Sequence, residues 1–161
     1  MNENKKNEVL LIGLPNSGKS TLINTLSNKK SSIVGATPNT TRDKISTVLE
    51  INNKSITLSD LPGFDENPDE FNMAFQEKVN DFLRMADQVI FVIDINSKNF
   101  SGLDKINNIL QLVKAEDKTI TVFNKCENFN NYDLDKRMFK YIYSKEFFVS
   151  GYHKIGTDEL L

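Results

Sequence analysis

Apolar and polar positions change period several times along the chain. A β-branched and aliphatic run, Val9–Ile12, stops at Gly13 and predicts a buried strand. Ser20–Leu26 follows as a helix. Ile45–Ile51 and Ser55–Ser59 predict two strands around Asn52-Asn53, a pair suited to a tight hairpin turn. Phe71, Phe75, Val79, Phe82, Leu83 and Ala86 then fall on one helical face. VIFVID, Val89–Asp94, is apolar up to its last residue, as in a strand covered on both sides. Ile106, Ile109, Leu110 and Val113 predict the next helix, and Ile120–Phe123 another buried strand. Leu134, Met138, Tyr141 and Ile142 predict a further helix, and Phe147–Val149 a last strand. The closing GTDELL has the pattern of a first helical turn, with Thr157 as its N-cap.

The order β-α-β-β-α-β-α-β-α-β predicts an α/β fold. Its sheet is expected to be six-stranded and mainly parallel, with one antiparallel strand from the hairpin and helices on both faces. A chain of 161 residues suffices for one domain with a sizeable core. No internal repeat or linker divides it, so a single domain over 1–161 is expected. A covering helix that stopped at Leu161 would leave part of the sheet bare, which suggests a piece of a longer protein.

Composition narrows the function classes. The net charge of −2 argues against a nucleic-acid binder held by its own basic face. One cysteine, Cys126, excludes an internal disulfide and fits a reducing cytoplasm. No apolar run approaches the ~18 residues of a membrane span, so no membrane partner is expected. The start, MNENKKNE, lacks the apolar core of a signal peptide.

GLPNSGKS, Gly13 to Ser20, fits G-x-x-x-x-G-K-[ST] between a strand and a helix. Its glycines let backbone N–H groups face phosphate oxygens, and the helix N-terminus adds favourable dipole charge. Lys19 is placed to bridge β- and γ-phosphates, and the Ser20 hydroxyl to sit on Mg²⁺. In DLPG, Asp60 ends a strand where a carboxylate can hold the Mg²⁺ shell, and Gly63 can offer its N–H to a γ-phosphate. NKCE, Asn124 to Glu127, follows another strand. A carboxylate at Glu127 can accept from guanine N1–H and the 2-amino group, a donor pair adenine lacks. TPNTTRD, Thr37 to Asp43, has threonines, Thr41 among them, that can ligate Mg²⁺ while a γ-phosphate is present, which makes a switch. Cys126 reads as a packed side chain, and the lone His153 as a surface-loop residue past the last strand, on the base side of the site.

Together these motifs resemble the TrmE–Era–EngA group of translation-associated GTPases. GLPNSGKST, TTRD, DLPG and NKCE stand in the group's order, and VSGYHKIGTDELL resembles its base loop. Within the group, Ser150, Gly151, His153, Gly156 and the Leu160-Leu161 pair are most similar to the first GTPase domain of the Der (EngA) type. The resemblance implies a P-loop NTPase G-domain that binds GTP and GDP with Mg²⁺ and assists large-ribosomal-subunit assembly. Contact with rRNA would then run through other domains. It implies nucleotide contacts from Gly13, Asn16, Ser17, Gly18, Lys19, Ser20, Thr21, Asp60, Gly63, Asn124, Lys125, Glu127, Ser150, Gly151 and Tyr152, with Ser20, Thr41 and Asp60 at the metal.

Four positions depart from the group's pattern: Asn39 for glycine, Leu61 for threonine, Glu127 for an aspartate one methylene shorter, and Gly151 for an alanine whose backbone N–H is what meets the guanine oxygen. Phe64 stands where Ras-like hydrolases carry a water-orienting glutamine, and the group commonly has a hydrophobic residue there. Its substitute is often a potassium ion beside the phosphates, held partly by the loop asparagine, here Asn16. Catalysis would thus rest on Lys19, Thr41, Gly63 and Asn16, with water positioned by backbone and by Glu66, Asp69 or Glu70. Arg42 is a second source of charge, unless it pairs with Asp43. An Era-like or TrmE-like G-domain, a nucleotide-binding module without turnover, and a P-loop kinase are the alternatives. The kinase needs an acceptor site and a lid, for which the sequence offers no candidate.

Overall fold

The computed structural model describes residues 7–29, 45–51, 54–61, 73–128 and 134–160. Its elements run β1 (Asn7–Ile12), α1 (Lys19–Lys29), β2 (Ile45–Ile51), β3 (Lys54–Asp60), α2 (Met73–Met85), β4 (Gln88–Asp94), α3 (Phe100–Leu112), β5 (Thr119–Asn124) and β6 (Glu146–Phe148). The six strands form one sheet in the order β2-β3-β1-β4-β5-β6. β2 is antiparallel to β3, with Ile51 opposite Lys54, and every other pairing is parallel. The expected α/β sheet with one antiparallel strand is present; the Asn52-Asn53 turn itself and Phe71 lie outside the described residues.

Strand alternation sorts the core onto two faces. Leu10 and Ile12 of β1, and Val89, Phe91 and Ile93 of β4, pack with Val79 and Leu83 of α2 and Leu103 and Ile106 of α3. Leu11, Ile90 and Val92 point the other way, against Leu22, Ile23 and Leu26 of α1. Beside α1 on that second face lies a cavity of about 240 Å³, lined by Leu26, Leu49, Leu58, Ile90, Phe147 and Leu160 among others. β5 is buried at all six positions. Its polar Thr121 is accommodated because the hydroxyl donates to the Tyr141 carbonyl at 2.6 Å and accepts from the Tyr143 N–H at 3.2 Å.

Two helix expectations need correction. Leu134 to Ile142 does not form an α-helix; Lys136–Tyr141 is a short 3-10 segment. The Asp135 carboxylate accepts from the Arg137 N–H at 3.0 Å, and bonds of i to i−3 type follow, Met138 N–H to the Asp135 carbonyl and Ile142 N–H to the Phe139 carbonyl. Met138 and Tyr141, three apart, share one buried face in that tighter helix. The chain's end is likewise a 3-10 turn, Thr157–Leu160. Thr157 does not cap it: the hydroxyl donates backwards, to the Lys154 carbonyl at 3.5 Å.

Candidate nucleotide site

The parallel strands carry their C-terminal ends to one edge of the sheet. β1 continues there into the glycine loop, β3 ends at Asp60, β4 at Asp94 and β5 at Asn124. The strand order reverses around β1, and crevices at such points are where open α/β sheets bind ligands.

Close approach fixes the loop's glycines. A Cβ on Gly13 would lie 2.3 Å from the Val92 carbonyl oxygen, and one on Gly18 would lie 2.2 Å from Asn124 Nδ2. Gly18 also has φ +91°, a left-handed value that favours glycine. Asn16 has φ +59° and an exposed side chain, a conformation asparagine tolerates better than most residues. The first turn of α1 opens directly from the loop, with the Leu22 N–H donating to the Gly18 carbonyl at 2.9 Å. Lys19 folds back over the loop; its ammonium donates to the Gly13 and Leu14 carbonyls, each at 3.0 Å. A positive charge is thereby held within the ring of backbone that the motif predicts for phosphate.

Ser20 and Asp60, 40 positions apart in sequence, meet here: the Ser20 hydroxyl donates to Asp60 Oδ2 at 2.8 Å. Two hard oxygen donors side by side at a helix N-terminus suit Mg²⁺, which takes one or two protein ligands and completes its shell with phosphate and water. Thr41 and Gly63, the other expected contributors, lie outside the described residues, as do the whole first switch and Phe64.

Asn124 ties the site together. Its Nδ2 donates to the Ser17 carbonyl at 2.9 Å, and its Oδ1 accepts from the Gly151 N–H at 2.9 Å. One buried side chain so links the phosphate loop, the NKCE segment and the Ser150-Gly151 loop. Thr25 of α1 adds a second tether, donating to the Gly151 carbonyl at 2.7 Å. The Cys126 N–H donates to the Val149 carbonyl at 2.9 Å, fixing the segment before Glu127. The Cys126 thiol is fully buried, and that burial pushes its pKa up to about 11; it is packing, not a nucleophile. Thr21, Glu127 and Tyr152 are exposed around this frame, while Ser17 and Ser150 are buried within it.

Three contacts had no sequence forecast. Lys125 pairs with Asp94 at 2.7 Å. Thr25 holds Gly151, as above. His153, a loop residue as expected, stands 3.6 Å from Glu127. Asp94 was the most accessible of these to inference, because it ends β4 in register with Asn124, one residue before Lys125.

Residues 8–125 match the family model described as 50S ribosome-binding GTPase. The chain belongs to this family. GTPase Der of Rickettsia bellii (strain OSU 85-389) is 34% identical over 155 residues, which cover 96% of this chain and 33% of the relative. GTPase Era of Ureaplasma urealyticum serovar 10 is 34% identical over 160 residues, 95% of this chain and 52% of Era. The chain thus spans about a third of the Der relative and half of the Era relative. Among solved structures, Era in complex with MgGDPNP and nucleotides 1506–1542 of 16S ribosomal RNA superposes with a TM-score of 0.72, at 27% identity, over 97% of this chain and 54% of Era. The G-domain fold of the 50S ribosome-binding GTPases is therefore the fold found here. Among the described residues no helix is long and apolar enough to cross a membrane.

Proposed function

We propose that this chain is a guanine-nucleotide switch domain that hydrolyses GTP slowly and serves assembly of the large ribosomal subunit. The observation that carries the nucleotide reading is the double tether of Asn124, which brings a phosphate loop and two base-side loops to one sheet edge. In this reading the Gly13–Gly18 backbone and the start of α1 surround the phosphates, and Lys19 leaves its carbonyl partners to neutralise the β- and γ-oxygens. Ser20, Asp60 and Thr41 hold Mg²⁺, which when bound offsets phosphate charge during transfer. Gly63 offers its N–H to the γ-phosphate. Lys125 flanks the base, Glu127 accepts from N1–H and the 2-amino group, and the Ser150–Tyr152 backbone meets the guanine oxygen.

Competition for a fluorescent GDP analogue tests this. GTP and GDP are expected to displace it at least ~10-fold better than ATP, since an unpaired buried-type polar contact costs about 1–3 kcal/mol. Equal displacement by ATP would sink the guanine assignment. Lys19→Ala should sharply weaken GTP–Mg²⁺ binding in titration calorimetry, and unchanged affinity would remove the phosphate-loop assignment.

The ribosomal role draws support from the family's 50S description and from the Der relatives. An Era-type role is the second reading, favoured by equal identity to an Era and by the RNA-bound Era structure. Cosedimentation of the intact gene product with 50S and 30S subunits in a non-hydrolysable GTP analogue separates the two, with 50S binding expected.

A further inference from the structure

The only histidine of the chain is built into a clamp that ends on Glu127. Residues 151–154 form a four-residue loop closed by paired backbone bonds, Ser150 N–H to the Ile155 carbonyl at 3.0 Å and Ile155 N–H to the Ser150 carbonyl at 3.1 Å. Inside it the His153 N–H donates to Ser150 Oγ at 3.2 Å. Its imidazole stands edge-on to the Tyr152 ring, centroids 5.0 Å apart at 84°. The imidazole Nε2 stands 3.6 Å from Glu127 Oε1.

We propose that His153 is a positioning residue for guanine selection, holding the Glu127 carboxylate where it reads the base. The proposal rests on the guanine reading of Glu127 given above. Glutamate has one more rotatable bond than aspartate, so its carboxylate is less defined by the backbone and loses more freedom on binding. A partner on the protein side restores that definition. Each carboxylate oxygen has two lone-pair sites, so Oε1 can face imidazole and guanine together. The pair is half-exposed and adds little to stability; its effect is on where the carboxylate points. A two-point contact, to N1–H and the 2-amino group, needs a fixed carboxylate plane, whereas a one-point contact tolerates rotation.

The test compares GDP with inosine diphosphate, which keeps N1–H and lacks the 2-amino group, by calorimetry on the full chain. His153→Ala is expected to shrink the GDP preference about 2–5-fold, the range of a weak, exposed side-chain contact. His153→Gln, which keeps a donor of similar reach, should restore most of it. In a Glu127→Ala background, His153→Ala should change nothing further. If Glu127→Ala lowers the preference and His153→Ala does not, or if His153→Ala weakens both nucleotides equally, the positioning role is overturned while the guanine reading stands. If Glu127→Ala leaves the preference intact, that reading falls and the positioning role with it.

Discussion

Gly18 and Gly151 show how differently two glycines of one site are constrained. A side chain on Gly18 would meet Asn124 at 2.2 Å, at φ +91°. On Gly151 the nearest atoms, Asn124 Oδ1 and the Leu22 backbone, are 3.5 Å away, an ordinary contact. Gly18→Ala should therefore destabilise by about 1–3 kcal/mol through backbone strain, displace the Asn124 tether and lose GDP binding. Gly151→Ala should stay within about 0.5 kcal/mol of the parent and bind GDP normally. Urea unfolding and GDP titration of both variants check this; a Gly151→Ala variant that loses binding would contradict it. The glycine loop was legible because its demands are local: six consecutive residues must curl around an anion. The Lys125–Asp94 and Glu127–His153 pairs were not, since each partner is an ordinary polar residue until the sheet sets it beside the other.

Among the elements, strands were easier to foresee than helices. Apolar runs such as Val89–Ile93 leave no polar face, and being short and rich in β-branched residues they fit a strand covered on both sides. The segment after residue 134 was ambiguous, because Met138 and Tyr141, three apart, align in an α-helix and a 3-10 helix alike. The threonines of β5 alternate with its apolar residues ahead of Asn124, and their hydroxyls are bound to backbone. Thr121→Val would take from the Tyr143 N–H and the Tyr141 carbonyl the hydroxyl that bonds them both. It should cost about 1–3 kcal/mol despite the more apolar side chain. Thr119→Val should cost less, because the Ala115 carbonyl it abandons still accepts from the Lys118 N–H at 3.2 Å. Denaturant midpoints of the two variants decide; equal losses would mean that the second donor does not matter.

Across the whole molecule, the sheet gathers the phosphate loop, Asp60, Asn124 and Ser150-Gly151 at one edge, segments far apart in sequence that the motif order alone had grouped. Catalysis is the harder question, since no glutamine follows Gly63. Phosphoryl transfer builds charge at the γ-phosphate and the leaving oxygen, so a positioned cation can do much of the work. Asn16, exposed in the phosphate loop at φ +59°, has a side-chain oxygen suited to a monovalent ion. Its left-handed backbone also offers a competing explanation, that asparagine serves only the turn. Asn16→Gly separates the two, because glycine keeps that backbone freely and removes the oxygen. GTP hydrolysis is expected to run faster in K⁺ than in Na⁺ at matched ionic strength, and Asn16→Gly should abolish the difference while GDP binding persists. Phe64→Ala should retain most of the activity. Should Asn16→Gly keep its K⁺ stimulation, the side chain is not the ligand and the asparagine only shapes the loop; equal rates in the two salts for the parent chain would exclude potassium altogether.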